Sequence, residues 1–279
     1  EHDADDDEQD QDRPNAWPYR NWVINALNEN LPYDEFVRLQ IAGDLLRRED
    51  LAATVATGFL VAGVESLIQS RKDFVQQRYD KIDDMISTVG TAFLGMSFSC
   101  ARCHDHMYDP FSQRDYYALA STLEGTVSRD RELKNGKAFV AGEAPDDRIT
   151  MLVVTEPHRR NLPSIPAKVH FLERGDPSLQ GESMNPSFPA ALVRNTSTTH
   201  WCRSQDKPVH GRVALARWVT DLKHGAGSLL ARVIVNRLWH HHFGRGLVTT
   251  PNNFGSRGAQ PTHPELIDWL ASELVSRKW

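Results

Sequence analysis

The feature that most limits how this chain can fold is an apolar stripe that begins at residue 75. Val75, Tyr79, Ile82, Ile86, Val89, Phe93 and Met96 advance by steps of 4, 3, 4, 3, 4 and 3. That spacing lines one face of an α-helix and leaves the other face polar. It predicts one long helix packed into a core of other helices. Continued by the same steps, the stripe lands on Cys100 and Cys103.

Those two cysteines belong to "SFSCARCHDHMYDP", residues 97–110, and the chain has one other cysteine, Cys202. Residues i and i+3 on a helical turn point the same way, so both sulfurs are expected to reach one edge of a flat molecule. His104 follows directly and is placed to turn its imidazole toward that molecule's centre. Cys-x-x-Cys-His is the attachment pattern of haem c, with two covalent thioethers and a proximal iron ligand. Three other readings stay open on the residues alone. A redox dithiol expects a strand–helix–strand setting, and the preceding stretch reads as a helix. A zinc site from Cys100, Cys103, His104 and His106 crowds its ligands, whereas structural zinc usually takes pairs from separate knuckles. A disulfide between residues so close in sequence gains little.

Composition narrows the class. At 279 residues, 40% hydrophobic and 25% charged, the chain reads as globular. Its net charge of −5 becomes +3 once the eight acids of "EHDADDDEQDQD" are set aside. No broad basic field for nucleic acid remains. No apolar run approaches the length of about 18–20 residues that spans a bilayer. The acidic residues 1–12 read as a mobile tail. Residues 13–125 read as a helical domain, with "RNWVINAL" placing Trp22, Val23, Ala26 and Leu27 on one face and Asp34 as an N-cap. A shorter helix is expected over "EDLAATVATGFL", and another from Ser112 or Asp115. Residues 126–210, rich in Gly, Pro and Ser with β-type runs "ITMLVV" and "AKVHFLE", read as an irregular β-containing connection. Residues 211–279 return to helical patterns, with Gly244 as a C-cap and Pro264 at the start of the last helix. The expected class is therefore mainly α, with a helical motif-bearing region, an irregular middle and a second helical region.

Three stretches carry a resemblance: "RPNAWPYRNWVINALNENLPYDEFVRLQIAGDLL", "TAFLGMSFSCARCHDHMYDPFSQRDYYAL" and "ARVIVNRLWHHHFGRGLVTTPNNFGSRGAQPTHPELIDWLA". The chain resembles the large cytochrome-like proteins of planctomycetes and related bacteria. In these an N-terminal domain of unknown function carrying Cys-x-x-Cys-His adjoins a C-terminal companion domain of unknown function. Cys100, Cys103 and His104 match the family's haem-binding signature, while Met107 stands where a Lys is common. The resemblance implies that the chain lacks the start of the first domain and the end of the second. It also implies export to the periplasm or cell surface, and a redox partner such as an adjoining cytochrome c domain.

The sixth iron position is expected to be either open or water-filled, or held by a protein ligand from far away in sequence. His104 fixes the chain on one face of the porphyrin, and at most about 3.6 Å per residue is too little for His106 or Met107 to round the edge. "LWHHHFG" supplies His240, His241 and His242; His241 is the first choice because the family commonly has a histidine there, and His263 is the second. Each of these histidines also has a plain reading as a surface, core or helix-bracing group. Arg237, Arg245 and Arg257 are candidates for pairing with propionates or for ordinary ion pairs. Trp201 and Cys202 fall in a loop-like stretch, and a buried free thiol is expected. The functional expectation is a c-type haem protein of redox or electron transfer outside the cytoplasm. Two alternatives are an oxidative or peroxidatic haem enzyme acting on an extracellular substrate such as polysaccharide, and a non-catalytic scaffold with a structural Cys/His site.

Overall fold

A computed structural model of the chain describes residues 15–63, 74–134, 148–155 and 168–279. The expected acidic tail lies outside them. The described chain is mainly helical. Helices α1 (Trp17–Asn28), α2 (Tyr33–Leu46), α3 (Leu51–Ala56), α4 (Gly58–Val61), α5 (Phe74–Val89) and α6 (Gln113–Ala120) form the first part. Helices α7 (Gly211–Thr220), α8 (Gly227–Phe243) and α9 (Pro264–Ser276) form the last. Between them lie three antiparallel strand pairs: β1 (Val127–Lys134) with β2 (Arg148–Thr155), β3 (His170–Leu172) with β4 (Gln180–Ser183), and the two-residue β5 (Arg203–Ser204) with β6 (Lys207–Pro208).

Local chemistry accounts for several helix ends. Asp50 caps α3 by accepting from the N–H groups of Ala52 and Ala53. Ser112 and Asp115 form a reciprocal capping box on α6. Gly244 ends α8 in the left-handed conformation, its N–H donating to the carbonyl of His240 at 2.7 Å. Pro264 occupies the first turn of α9, where a missing N–H costs nothing. Asp34 is not the cap of α2: Pro32 holds that position, and Asp34 lies in the first turn, paired with Arg38 at 3.0 Å. The stretch 51–61 is two helices because Thr57 interrupts it, its hydroxyl donating back to the carbonyl of Thr54 and accepting from the N–H of Val154.

The core gathers the apolar faces of α2, α5, α6 and α7. On α5 the stripe is buried as its spacing predicts, with Tyr79, Ile82, Ile86 and Val89 each at most 3% exposed. A second cluster joins α1, α2 and α3 around Trp22, and a third joins α8 and α9 around Ala231 and Ile267. On α1 the apolar face is narrower than the pattern suggests, since Leu27 is 63% exposed. The first and last parts share one core. The guanidinium of Arg212, wholly buried, donates to both carboxylate oxygens of Asp44 at 2.7 and 2.8 Å and to the carbonyl of Ile41. Nearby, Arg38 donates to the hydroxyl of Thr220 at 3.0 Å. Among the described residues, no helix is long and apolar enough to cross a membrane.

Candidate functional site

The expected single helix running into the cysteines is not what forms. After Val89 the chain widens into a π-helical turn over Gly90–Leu94, and Gly95 stops it with φ of +58°. Glycine adopts that left-handed conformation without a Cβ penalty. Met96 still completes the buried stripe, at 6% exposure, but Cys100 and Cys103 do not continue it. They belong instead to a 3-10 turn over Ser99–Arg102, with Cys103 as its C-terminal cap. Side chains three apart eclipse on such a turn, so the two sulfurs share a side that faces outward rather than into the core. Both thiols are free and exposed. The hydroxyl of Ser97 lies 3.5 Å from the Cys100 sulfur. The backbone of Gly175 lies against Cys103, close enough that a methyl group there would come within 2.7 Å of the sulfur.

Of the two residues between the cysteines, Ala101 packs into the core and Arg102 reaches back to α5. Its guanidinium pairs with Asp80 at 2.6 Å and Asp83 at 3.8 Å, both on α5. Burial opposes that charge, but the hydrogen bond to Asp80 and the neighbouring acids outweigh it and hold Arg102 protonated. Its carbonyl accepts from the Tyr117 hydroxyl at 2.9 Å and from the Gln113 side-chain amide at 2.8 Å. The same amide reaches the carbonyl of Leu172 at 2.9 Å, tying the turn to β3. Next door, the Tyr116 hydroxyl donates to Asp83 at 2.6 Å. Burial and then the charge of Asp83 push that phenol far above its ordinary range, so it remains a neutral donor.

The two histidines of the motif do different things. His104 is exposed, and its Nδ1 lies 2.7 Å from the carbonyl oxygen of Asp105. A carbonyl only accepts, so Nδ1 carries a hydrogen, and in the neutral ring the lone pair is on Nε2. Metal-ligating histidines characteristically hold this tautomer by such a bond. In contrast, the ring of His106 is buried, and its Nδ1 accepts from the backbone N–H of Asp109 at 2.8 Å and of Tyr108 at 3.3 Å. It shapes the turn over 106–111, which its own N–H closes on the carbonyl of Phe111. Among the described residues, no group of three or more His, Cys, Asp or Glu side chains converges so as to hold a metal ion. Two adjacent thiols and one outward imidazole nitrogen fit attachment of a flat group with a central metal better than a closed cage.

A loop of the last part braces this turn. Asp109, 8% exposed, accepts from the N–H of Ser256 at 2.6 Å. Phe254 donates its N–H to the carbonyl of Gly95 at 2.7 Å, and Arg257 lies 4.9 Å over the ring of Tyr108. Arg237 of α8 donates to the carbonyls of Thr91 and Ala92, which the π-helical turn leaves open, and to Asn252. It serves two backbone carbonyls and one side-chain amide oxygen.

The remaining candidates are dispersed. His241 is exposed on the last turn of α8, its ring 5.7 Å from that of His240. Among the described residues no hydrogen bond or ring contact joins it to residues 97–110. His263 occupies the cap position of α9, yet its Nδ1 meets the hydroxyl of Thr262 and makes no capping bond. Trp201 is buried, and its indole N–H donates to Asp221 at 2.9 Å. Cys202 is half-buried, and its thiol, pushed up to about 11 by burial, donates to the carbonyl of Pro186 at 3.1 Å. The bracing residues Asp109, Gln113 and Ser256 escaped the sequence reading because their partners are far away along the chain or are backbone atoms. The short run Asp109-Pro-Phe-Ser, dense in turn formers, was the only local signal.

Residues 1–128 match the family model PSCyt2, described as a protein of unknown function (DUF1549). Residues 211–279 match PSD1, a protein of unknown function (DUF1553). No curated protein and no solved structure matches the chain. The bonds from Arg212 to Asp44 and from Ser256 to Asp109 each join the first matched segment to the second.

Proposed function

We propose that this chain is a c-type haem protein with a redox or electron-transfer role outside the cytoplasm, holding haem through Cys100, Cys103 and His104. The observation that carries this reading is His104: its Nδ1–H is committed to the Asp105 carbonyl, which leaves Nε2 as the ligand atom. The two exposed thiols on one turn support it further. In attachment each thiol adds across a vinyl group; a sulfur–carbon bond forms and the hydrogen goes to the other vinyl carbon, so nothing is oxidised. The sulfurs must therefore be reduced, as free thiols are. Arg102 keeps the turn against α5, and the Asp105 carbonyl keeps the imidazole pointed. When bound, the haem supplies one-electron iron chemistry whose potential follows axial ligation, burial and hydrogen bonding. Thioether attachment takes place on the outer side of the cytoplasmic membrane, and this places the working protein in the periplasm or at the cell surface.

The test is production of the chain, exported, in a strain with a cytochrome c assembly system. Acid–acetone extraction should leave the colour on the polypeptide, with a pyridine haemochrome spectrum of the thioether-linked type. The double variant Cys100→Ser, Cys103→Ser should lose the haem and Cys202→Ser should keep it. Haem that extracts, or a polypeptide mass without a haem increment, overturns the proposal.

A further inference from the structure

We infer that Gly175 is a positioning residue for the thiol pair: by carrying no side chain, it lets Cys103 keep its sulfur on the side shared with Cys100. The β3–β4 hairpin, which lies outside both matched segments, is thereby a third part of the site. The geometric claim concerns the thiols alone, and only its consequence for attachment rests on the haem reading above.

The hairpin is fastened to the motif turn at several points. The side-chain amide of Gln113 donates to the carbonyls of both Arg102 and Leu172, at 2.8 and 2.9 Å, and so spaces the turn from β3. Leu172 itself is fully buried. Arg114 pairs with Glu182 on β4 and lies over the ring of Phe171 on β3. The Tyr79 hydroxyl accepts from the N–H of His170 at 2.8 Å. The connecting loop is closed on itself as well. The N–H of Glu173 donates to the carbonyl of Leu179 at 3.0 Å, and that of Asp176 to the carbonyl of Glu173 at 3.0 Å. Gly175 is therefore held in a defined place.

That place is against Cys103. A Cβ on Gly175 would lie 2.7 Å from the Cys103 sulfur and 3.5 Å from the carbonyl oxygen of Arg102. The second distance is ordinary contact; the first is an overlap. Arg102 is anchored to Asp80, so the backbone of the turn holds. The sulfur sits at the end of one rotatable bond and is the atom that gives. Side chains move between staggered wells rather than by small amounts, so relief swings the sulfur off the side shared with Cys100. The left-handed backbone at Gly175, with φ of +76°, would by itself also admit Asn. The contact with Cys103 would not.

The test uses two thiol probes on the full chain made without haem. Phenylarsonous acid closes on a pair of thiols, each sulfur displacing one hydroxyl from arsenic as water, with nothing oxidised. Iodoacetamide takes each thiol singly. Wild type should bind one arsenic per chain, and Cys202→Ser should do the same. Gly175→Asn keeps the left-handed backbone and adds the Cβ. It should bind the arsenical at least about tenfold more weakly, because the second sulfur no longer acts at high effective concentration. Iodoacetamide should still label both Cys100 and Cys103 in that variant. Gly181→Ala, on β4 of the same hairpin, meets nothing closer than 3.5 Å and should bind as wild type does. Equal arsenical affinity in wild type and Gly175→Asn overturns the inference, as does wild type that captures no arsenic. An equal loss in Gly181→Ala also overturns it, since the hairpin at large would then be responsible. Should Gly175→Asn not accumulate, Gly175→Ala is read in the same way. In haem-loaded Gly175→Asn, peptide mass spectrometry should find haem on Cys100 and a free thiol at Cys103; haem on both overturns the consequence for attachment. Wild type that captures arsenic but never acquires haem overturns the haem reading and leaves the role of Gly175 standing.

Discussion

Two of the seams that join the first matched segment to the second are built from different materials. The seam between α2 and α7 is buried. Arg212 is fully enclosed and spends its guanidinium on Asp44 and a backbone carbonyl, with the side chain of Trp218 equally enclosed on the same helix. The seam between the motif turn and residues 254–257 is lighter and reaches the surface: buried Asp109 takes one backbone N–H there, and exposed Arg257 covers a half-exposed tyrosine. Removing Arg212 from the first leaves the largely buried Asp44 carboxylate without its cation. Removing Asp109 from the second leaves only a neutral backbone N–H without its acceptor. The first seam therefore holds the fold together. The second contributes little to stability and instead sets where the groups around His104 stand.

That contrast orders the expected effects. Arg212→Met should be the most damaging, because it leaves the Asp44 carboxylate largely buried without its cation. A loss of about 3–5 kcal/mol is expected for breaking such a pair, seen as a lower urea midpoint; an unchanged midpoint would remove the distinction between the seams. The cysteines report the same contrast without mutation. Cys202, pushed from its ordinary 9.0 to about 11 by burial, has about a hundredfold less thiolate near pH 8 than it would have in the open. In protein made without haem, iodoacetamide should label Cys100 and Cys103 at least about a hundredfold faster than Cys202, as peptide mass spectrometry would show. Comparable rates would mean that the Cys202 region opens readily. The smallest stability effect belongs to Asp109→Ala, at about 2 kcal/mol or less for one charge-assisted hydrogen bond. Its mark should be local, with faster amide exchange at Ser256 and little change elsewhere. A loss as large as that of Arg212→Met would show that the surface seam also carries the fold.

Much of the helical framework was readable from neighbouring residues alone. The stripe from Tyr79 to Met96, the capping box of Ser112 and Asp115, the left-handed Gly244 and the leading Pro264 each express a rule that acts within a turn or two of the chain. The Cys-x-x-Cys-His spacing is local in the same sense. Extrapolation failed at Gly90–Gly95, because a 3.6-residue period says nothing about a π turn whose open carbonyls are met by Arg237, 145 and 146 residues away. The same holds for Asp44, an unremarkable acid in the sequence until Arg212 arrives 168 residues later. By itself the sequence determined which segments become helices, where α6 and α9 begin and α8 ends, and that two thiols and an imidazole occur together. Only the tertiary structure decided that those thiols face outward from a 3-10 turn, which nitrogen of His104 meets the Asp105 carbonyl, and that a loop of the distant second segment braces the turn. The physical reason is range: caps and stripes act between close neighbours in sequence, whereas charge pairing and burial depend on which surfaces the packed core brings together.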